Sequence, residues 1–137
     1  MHNIWIADDD EAIRLVLEES LSSAGFKTKS FSSGDDLVSE LESSEPDLII
    51  TDVQMPGMLG YDLLKHITNN YEDLPVIVMT AFADMQAAVE SFGGGAFEYM
   101  PKPFDLEDAI KIVERALEEK PKTKGLKQDT KLDIIGE

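Results

Sequence analysis

Five polar residues close four short apolar runs in this sequence. Residues 4–7 run into Asp8 and Asp9, residues 48–51 into Asp52, residues 76–79 into Thr80, and residues 96–100 into Pro101 and Lys102. Carboxylates gathered in one place repel one another and need a counter-charge. A hard divalent cation with oxygen ligands supplies it, and magnesium takes few carboxylates while keeping several waters. Lys102 offers a second positive charge, and Thr80 a small hydroxyl donor. An acceptor oxygen, a metal that neutralises phosphate charge and donors aimed at the equatorial oxygens are the parts of a phosphoryl transfer. A carboxylate can itself be the nucleophile and form an aspartyl-phosphate. Asp52 fits that part because it stands alone at its strand end, whereas the adjacent Asp8 and Asp9 suit metal holding. Each residue alone has a plainer reading. Acids ahead of a helix serve its dipole, a threonine often ends a strand, and a lysine between prolines is commonly a loop charge. It is their joint placement that carries the chemistry.

For these residues to meet, the runs must be neighbouring strands of one sheet. Short apolar runs bounded by turn residues read as buried strands. Residues 27–31 alternate polar side chains with Thr28 and Phe31 and read as a second, more exposed strand. Helical spacing fills the gaps. Ile13, Val16, Leu17, Leu21 and Ala24 share a face of a first helix ending at Gly25. Ser33 with Asp36 forms a capping box for a second, carrying Leu37, Val38 and Leu41. Leu63, Leu64 and Ile67 line a third, and Met85, Ala88, Val89 and Phe92 a fourth. Asp105 caps the last, with Leu106, Ala109, Ile110, Val113 and Leu117 inward. Pro56, Gly57 and Gly60 mark a loop after Asp52.

Five strands alternating with five helices predict an α/β fold with a parallel sheet covered on both faces. Right-handed crossovers leave few topologies, and the doubly wound, flavodoxin-like order 2-1-3-4-5 is one of the two common ones. That order sets the first and third strands side by side. Ligands of such sheets bind at the C-terminal ends of the strands, where all five residues stand.

The totals bound the rest. The chain has 137 residues, enough for one domain with a tail, and a net charge of −16. Residues 120–137 hold five lysines against three acids, so residues 1–119 carry 7 basic and 25 acidic side chains, a net of −18. That argues against nucleic-acid binding by this chain, since phosphate backbones require Lys and Arg. There is no cysteine, hence no disulfide framework and no thiolate site. Three acids within the first ten residues do not suit a signal peptide, and the longest nearly apolar run, 75–83, is far short of a membrane span. The expectation is a soluble, cytoplasmic protein without membrane contact. Residues 120–137 lack apolar periodicity and read as a flexible linker.

At these residues the sequence resembles a response-regulator receiver domain, with the CheY-like form of the fold. The resemblance covers residues 3–119 and rests on IADDD at 6–10, ITDVQMPGMLG at 50–60, VMTAF at 78–82 and YMPKPFD at 99–105. It implies that Asp52 accepts a phosphoryl group from a phosphohistidine on a sensor histidine kinase. Magnesium would be held by Asp8, Asp9, Asp52 and the main-chain carbonyl of Gln54. Lys102 would pair with the phosphate, Thr80 would hydrogen-bond it in the active state, and the Ala81 backbone N–H would contact a phosphate oxygen. The resemblance further implies a cis Lys102–Pro103 peptide and a switching role for the aromatic ring of Tyr99. GAFEYMPKPFD at 95–105, followed by EDAIKIVERAL, is similar to the NtrC type, the nitrogen regulatory protein C family. In that family a linker joins the receiver to an AAA+ ATPase acting on sigma-54 RNA polymerase, and then to a DNA-binding domain. The terminal IIGE at 134–137 resembles the opening of that ATPase. The implied division is a receiver at 1–119 and a linker at 120–137. Phosphorylation would change the surface from the fourth strand to the fifth helix, and that surface would either form a homodimer on the fourth helix–fifth strand–fifth helix face or release a downstream domain.

Gly93 and Gly94 depart from the family pattern, which has larger, helix-compatible residues there. Glycine costs roughly 1 kcal/mol against alanine inside a helix, so the fourth helix is expected to be short or loosely held at its end. Two rival functions remain. A haloacid-dehalogenase-like phosphatase also uses an Asp nucleophile and magnesium in a DxDx[TV] motif. Asp8 and Asp10 supply its acids, but Ala12 stands where Thr or Val is required. The other rival is a receiver-like fold serving only as a binding module, against which the intact set of five residues argues.

Overall fold

Side-chain alternation along the strands decides how the chain is layered. A computed structural model describes residues 2–53, 60–92 and 95–119. The elements are β1 (Asn3–Ala7), α1 (Glu11–Ser23), β2 (Lys27–Phe31), α2 (Gly34–Leu41), β3 (Leu48–Asp52), α3 (Gly60–Asn70), β4 (Val76–Ala81), α4 (Met85–Phe92), β5 (Glu98–Lys102) and α5 (Leu106–Glu119). A 3-10 turn, Phe82–Asp84, joins β4 to α4. The strands form one parallel sheet in the order β2-β1-β3-β4-β5, which is the flavodoxin-like order expected from the sequence.

Successive strand residues point to opposite faces, and both faces are apolar. Ile4 and Ile6 of β1, Leu48 and Ile50 of β3 and Ile77 and Met79 of β4 pack with Leu17 and Leu21 of α1 and Ala109, Val113 and Ala116 of α5. Trp5, Ala7, Ile49, Val76 and Val78 pack the other way, with Leu37 and Leu41 of α2, Leu63, Leu64 and Ile67 of α3 and Ala88 of α4. Each large side chain buried this way contributes on the order of 1.5–3 kcal/mol. The Trp5 and Phe31 rings lie 5.2 Å apart at the β1–β2 seam.

Three helix starts are capped by short polar side chains; the sequence suggests those at Ser33 and Asp105, and the structure adds Asp10. Asp10 Oδ1 accepts from Ala12 N at 2.9 Å, Ser33 Oγ from Asp36 N at 3.2 Å, and Asp105 Oδ1 from Glu107 N at 2.8 Å. Each satisfies a backbone donor that the helix cannot. Gly25, just past α1, has a φ of 99°, a left-handed conformation that costs glycine nothing.

Three details differ from the sequence reading. The sequence spacing puts Val16 and Ala24 on the inner face of α1. Val16 is 43% exposed and Ala24 is exposed at the helix C-cap. Val16 lies about 100° around the helix from Leu17, so only the line through Leu17 and Leu21 reaches the sheet. Val89 is likewise 42% exposed while its neighbour Ala88 is buried. The fifth strand is Glu98–Lys102 rather than 96–100. Pro101 does not end it, because among the described residues β5 is an edge strand paired with β4 alone, a position that tolerates a missing N–H. The Phe92 side chain, Gln54, the glycines at 93 and 94 and residues 120–137 lie outside the described residues. No helix among the described residues is long and apolar enough to cross a membrane.

Candidate functional site

Parallel strands end on the same side of their sheet, so their last residues converge. Across β1 and β3, Ala7 stands opposite Thr51, which carries Asp8 and Asp9 to the neighbourhood of Asp52. Across β3 and β4, Asp52 stands opposite Met79. Across β4 and β5, Thr80 is opposite Pro101, and Ala81 is opposite Lys102. The result is a cluster in which one carboxylate oxygen from each of Asp8, Asp9 and Asp52 lies within 4.8 Å of the other two.

Asp8 is fully buried and held on every side. Its N–H donates to Phe31 O at 3.1 Å. Its Oδ1 accepts from Asp10 N at 2.9 Å and its Oδ2 from Lys102 Nζ at 2.9 Å. Its main-chain carbonyl accepts from Arg14 Nη1 at 2.7 Å. Asp52 is half-buried. Its Oδ1 accepts from Val53 N at 2.9 Å and lies 3.2 Å from Lys102 Nζ, while its Oδ2 has no donor among the described residues. Asp9 is exposed, and its side chain makes no hydrogen bond among the described residues. Asp10, the third acid of the run, is spent on capping α1, which leaves the phosphatase-type pairing of Asp8 with Asp10 without its second acid.

The electrostatics follow from this crowding. Burial and then the Asp8 charge push the Asp52 carboxyl above its ordinary value, outweighing the Lys102 ammonium and the Val53 N–H that pull it down. Burial opposes the Lys102 charge, yet the carboxylates of Asp8 and Asp52 prevail and hold it above the usual lysine value. One lysine serves two carboxylates, with a third beside them. An all-oxygen donor set with this excess of negative charge suits a hard divalent cation, and Asp8, Asp9 and Asp52 are the residues that could hold one.

The remaining candidates lie around this cluster. Thr80 is 4% exposed, and its hydroxyl has no hydrogen-bond partner among the described residues. Ala81, extended and exposed, follows it at the end of β4. Tyr99, half-buried on β5, packs against the cluster of apolar side chains beneath α2, α3 and α4, and burial raises its phenol above the ordinary tyrosine value. The Lys102–Pro103 peptide is cis. Gln54 is not among the described residues. Sequence reasoning missed Arg14. Its partner is a backbone carbonyl, and such an acceptor leaves no mark in a pattern of side-chain types.

Known proteins resemble this chain in sequence and in fold. The response regulator receiver domain family matches residues 4–114. The DNA-binding transcriptional regulator NtrC of Klebsiella pneumoniae is 44% identical over 138 residues, covering 97% of this chain and 29% of that protein. The chain thus spans less than a third of the length of that relative. Among solved structures, the apo receiver domain of nitrogen regulatory protein C aligns with a TM-score of 0.78 and 45% identity, over 85% of this chain and 94% of that one. The response regulator TrrA of Thermotoga maritima, in complex with Mg2+-BeF, aligns with a TM-score of 0.77 and 28% identity, over 85% of this chain and 99% of its own. With the family matched over most of its length and NtrC-level identity running through it, the chain belongs to the response regulator receiver domain family, in its NtrC-type branch.

Proposed function

We propose that this receiver is a phosphoacceptor switch in which Asp52 takes a phosphoryl group from a phosphohistidine of a sensor histidine kinase. The observation that supports it most is the asymmetry of the Asp52 carboxylate. Oδ1 is fixed by Val53 N–H and Lys102, while Oδ2 has no donor among the described residues and keeps its lone pairs for attack. In the transfer, Oδ2 forms a bond to phosphorus as the histidine N–P bond breaks. The imidazole leaves with the bonding pair, and Asp52 becomes a mixed carboxylic–phosphoric anhydride. Magnesium, bound by Asp8, Asp9, Asp52 and the Gln54 carbonyl, would neutralise charge on the incoming group. Beryllofluoride, which TrrA binds with magnesium, would stand in for the phosphoryl group at Asp52.

The rest of the site then has work to do. Lys102 exchanges a carboxylate contact for a phosphoryl oxygen. The Thr80 hydroxyl, which has no hydrogen-bond partner among the described residues, turns toward the new acceptor oxygens, supported by the Ala81 N–H, and vacates space that the Tyr99 ring enters. Phosphorylation adds negative charge and strong acceptors and shifts the population only as far as the two states bind the group differently. The altered α4–β5–α5 face forms a homodimer. The full-length protein is a cytoplasmic transcription regulator, with residues 120–137 linking the receiver to a sigma-54-interacting AAA+ ATPase and a DNA-binding domain.

Intact mass after incubation with acetyl phosphate tests the chemistry. One phosphate should add to the parent with magnesium, and none without magnesium or to Asp52→Asn. A phosphate that still adds to Asp52→Asn would reassign the acceptor.

A further inference from the structure

Asp9 is the least anchored of the three clustered carboxylates. It is exposed and has no side-chain hydrogen bond among the described residues, so its backbone must place it. The Asp8 carbonyl and the Asp9 N–H belong to one planar peptide unit. Whatever fixes that carbonyl fixes the plane from which Asp9 Cα and Cβ extend. The Arg14 guanidinium does this, donating to Asp8 O at 2.7 Å, a short contact of the kind a charged donor makes. Its own backbone N–H is tied to Asp10 O at 3.2 Å in the first turn of α1. The clamp therefore reaches back from a rigid helix to the turn that carries the acids.

We propose that Arg14 is a positioning residue for divalent-cation binding, holding the Asp8–Asp9 peptide so that the Asp9 carboxylate completes the set with Asp8 and Asp52. This rests on the reading of those three acids as cation ligands. The sign of its effect separates it from simple charge. A guanidinium near the site repels a second cation, so as a charge alone its removal would tighten binding. As a clamp, its removal loosens binding.

The test is calorimetric titration of the 137-residue chain with magnesium chloride, beside thermal unfolding in EDTA. Arg14→Met should weaken magnesium binding roughly tenfold or more, the usual loss when a group supporting a ligand is removed, while unfolding in EDTA moves little. Arg14→Lys, which keeps a charged donor, should recover most of the affinity. Should Arg14→Met fail to fold, the uncharged Arg14→Gln carries the same expectation. Unchanged or tighter binding in a folded uncharged variant overturns the proposal, as does failure of both uncharged variants to fold in EDTA, since Arg14 would then be purely structural. Absence of magnesium binding by the parent, or parent-like binding by Asp9→Asn, would strike the ligand reading itself and remove the proposal with it.

Discussion

Asp8 and Lys102 stand 94 residues apart in the chain and 2.9 Å apart in space. The carboxylate is fully buried, and the lysine side chain retains 23% exposure. Removing one partner of a buried pair strands the other charge. Lys102→Met should therefore cost about 3 kcal/mol of stability, the lower end for such pairs because the lysine is partly solvated. Excess magnesium should return part of it by binding only the folded state. Urea unfolding at neutral pH, with EDTA and with magnesium chloride, measures both. A variant as stable as the parent in EDTA would mean that Asp8 is not relying on this lysine.

The raised pKa of Asp52 carries a pH dependence of definite sign. A carboxyl raised on folding binds a proton in the folded state that the unfolded chain has already released. Its contribution to stability is most favourable below the ordinary value of 3.8, declines as pH rises through the folded value, and is flat beyond it. Lys102, also raised, contributes stability that is full below its ordinary 10.5 and is lost as pH climbs through its folded value. Asp52→Asn should thus melt higher than the parent at pH 7, with the gap closing as pH falls toward 3.8. Melting curves across that range check it, and a mutant that melts lower at pH 7 would contradict the burial argument.

Thr80 makes no hydrogen bond among the described residues despite being buried. Replacing a hydroxyl that has no partner by a methyl of similar shape removes a desolvated polar group and loses nothing. Thr80→Val should leave stability within about 0.5 kcal/mol of the parent or raise it, and should still take up label from acetyl phosphate. The change that beryllofluoride and magnesium cause around Tyr99 should be abolished. Backbone amide spectra with and without beryllofluoride read this directly. A parent-like shift pattern in the variant would remove Thr80 from the switch.

The three consecutive acids should separate cleanly by mutation. Asp10 caps α1 through Ala12 N, so Asp10→Ala should cost about 1 kcal/mol and leave magnesium-dependent labelling in place. Asp9 contributes no hydrogen bond among the described residues, so Asp9→Ala should leave unfolding in EDTA nearly unchanged and weaken magnesium binding. Denaturation and cation titration on the two variants would show opposite losses, whereas the phosphatase pairing requires Asp10→Ala to abolish the chemistry.

Most of the placement of the candidate site is legible because strand ends are written plainly. An apolar run that stops at a carboxylate, a threonine or a lysine gives both the buried strand and the side chain it delivers, and order 2-1-3-4-5 then brings those ends together. Two things escaped. The face of α1 was drawn too wide, since Val16 and Leu17 are equally apolar and only the sheet decides which one is buried. The end of β5 was placed too early, because Pro101 looks like a stop until the strand is known to lie at an edge. Arg14 escaped for a third reason, its acceptor being a carbonyl that every residue possesses.

The strand order also sets what it takes to move each part of the site. β1, β3 and β4 are each gripped by a strand on either side, so shifting any of them would tear two ladders. Among the described residues β5 has a neighbour on one flank alone, and it carries both Lys102 and Tyr99. The inner strands therefore form a fixed anvil for the chemistry proposed at Asp52. The outer strand, cheaper to displace, would be the lever by which phosphorylation of Asp52 left the sheet.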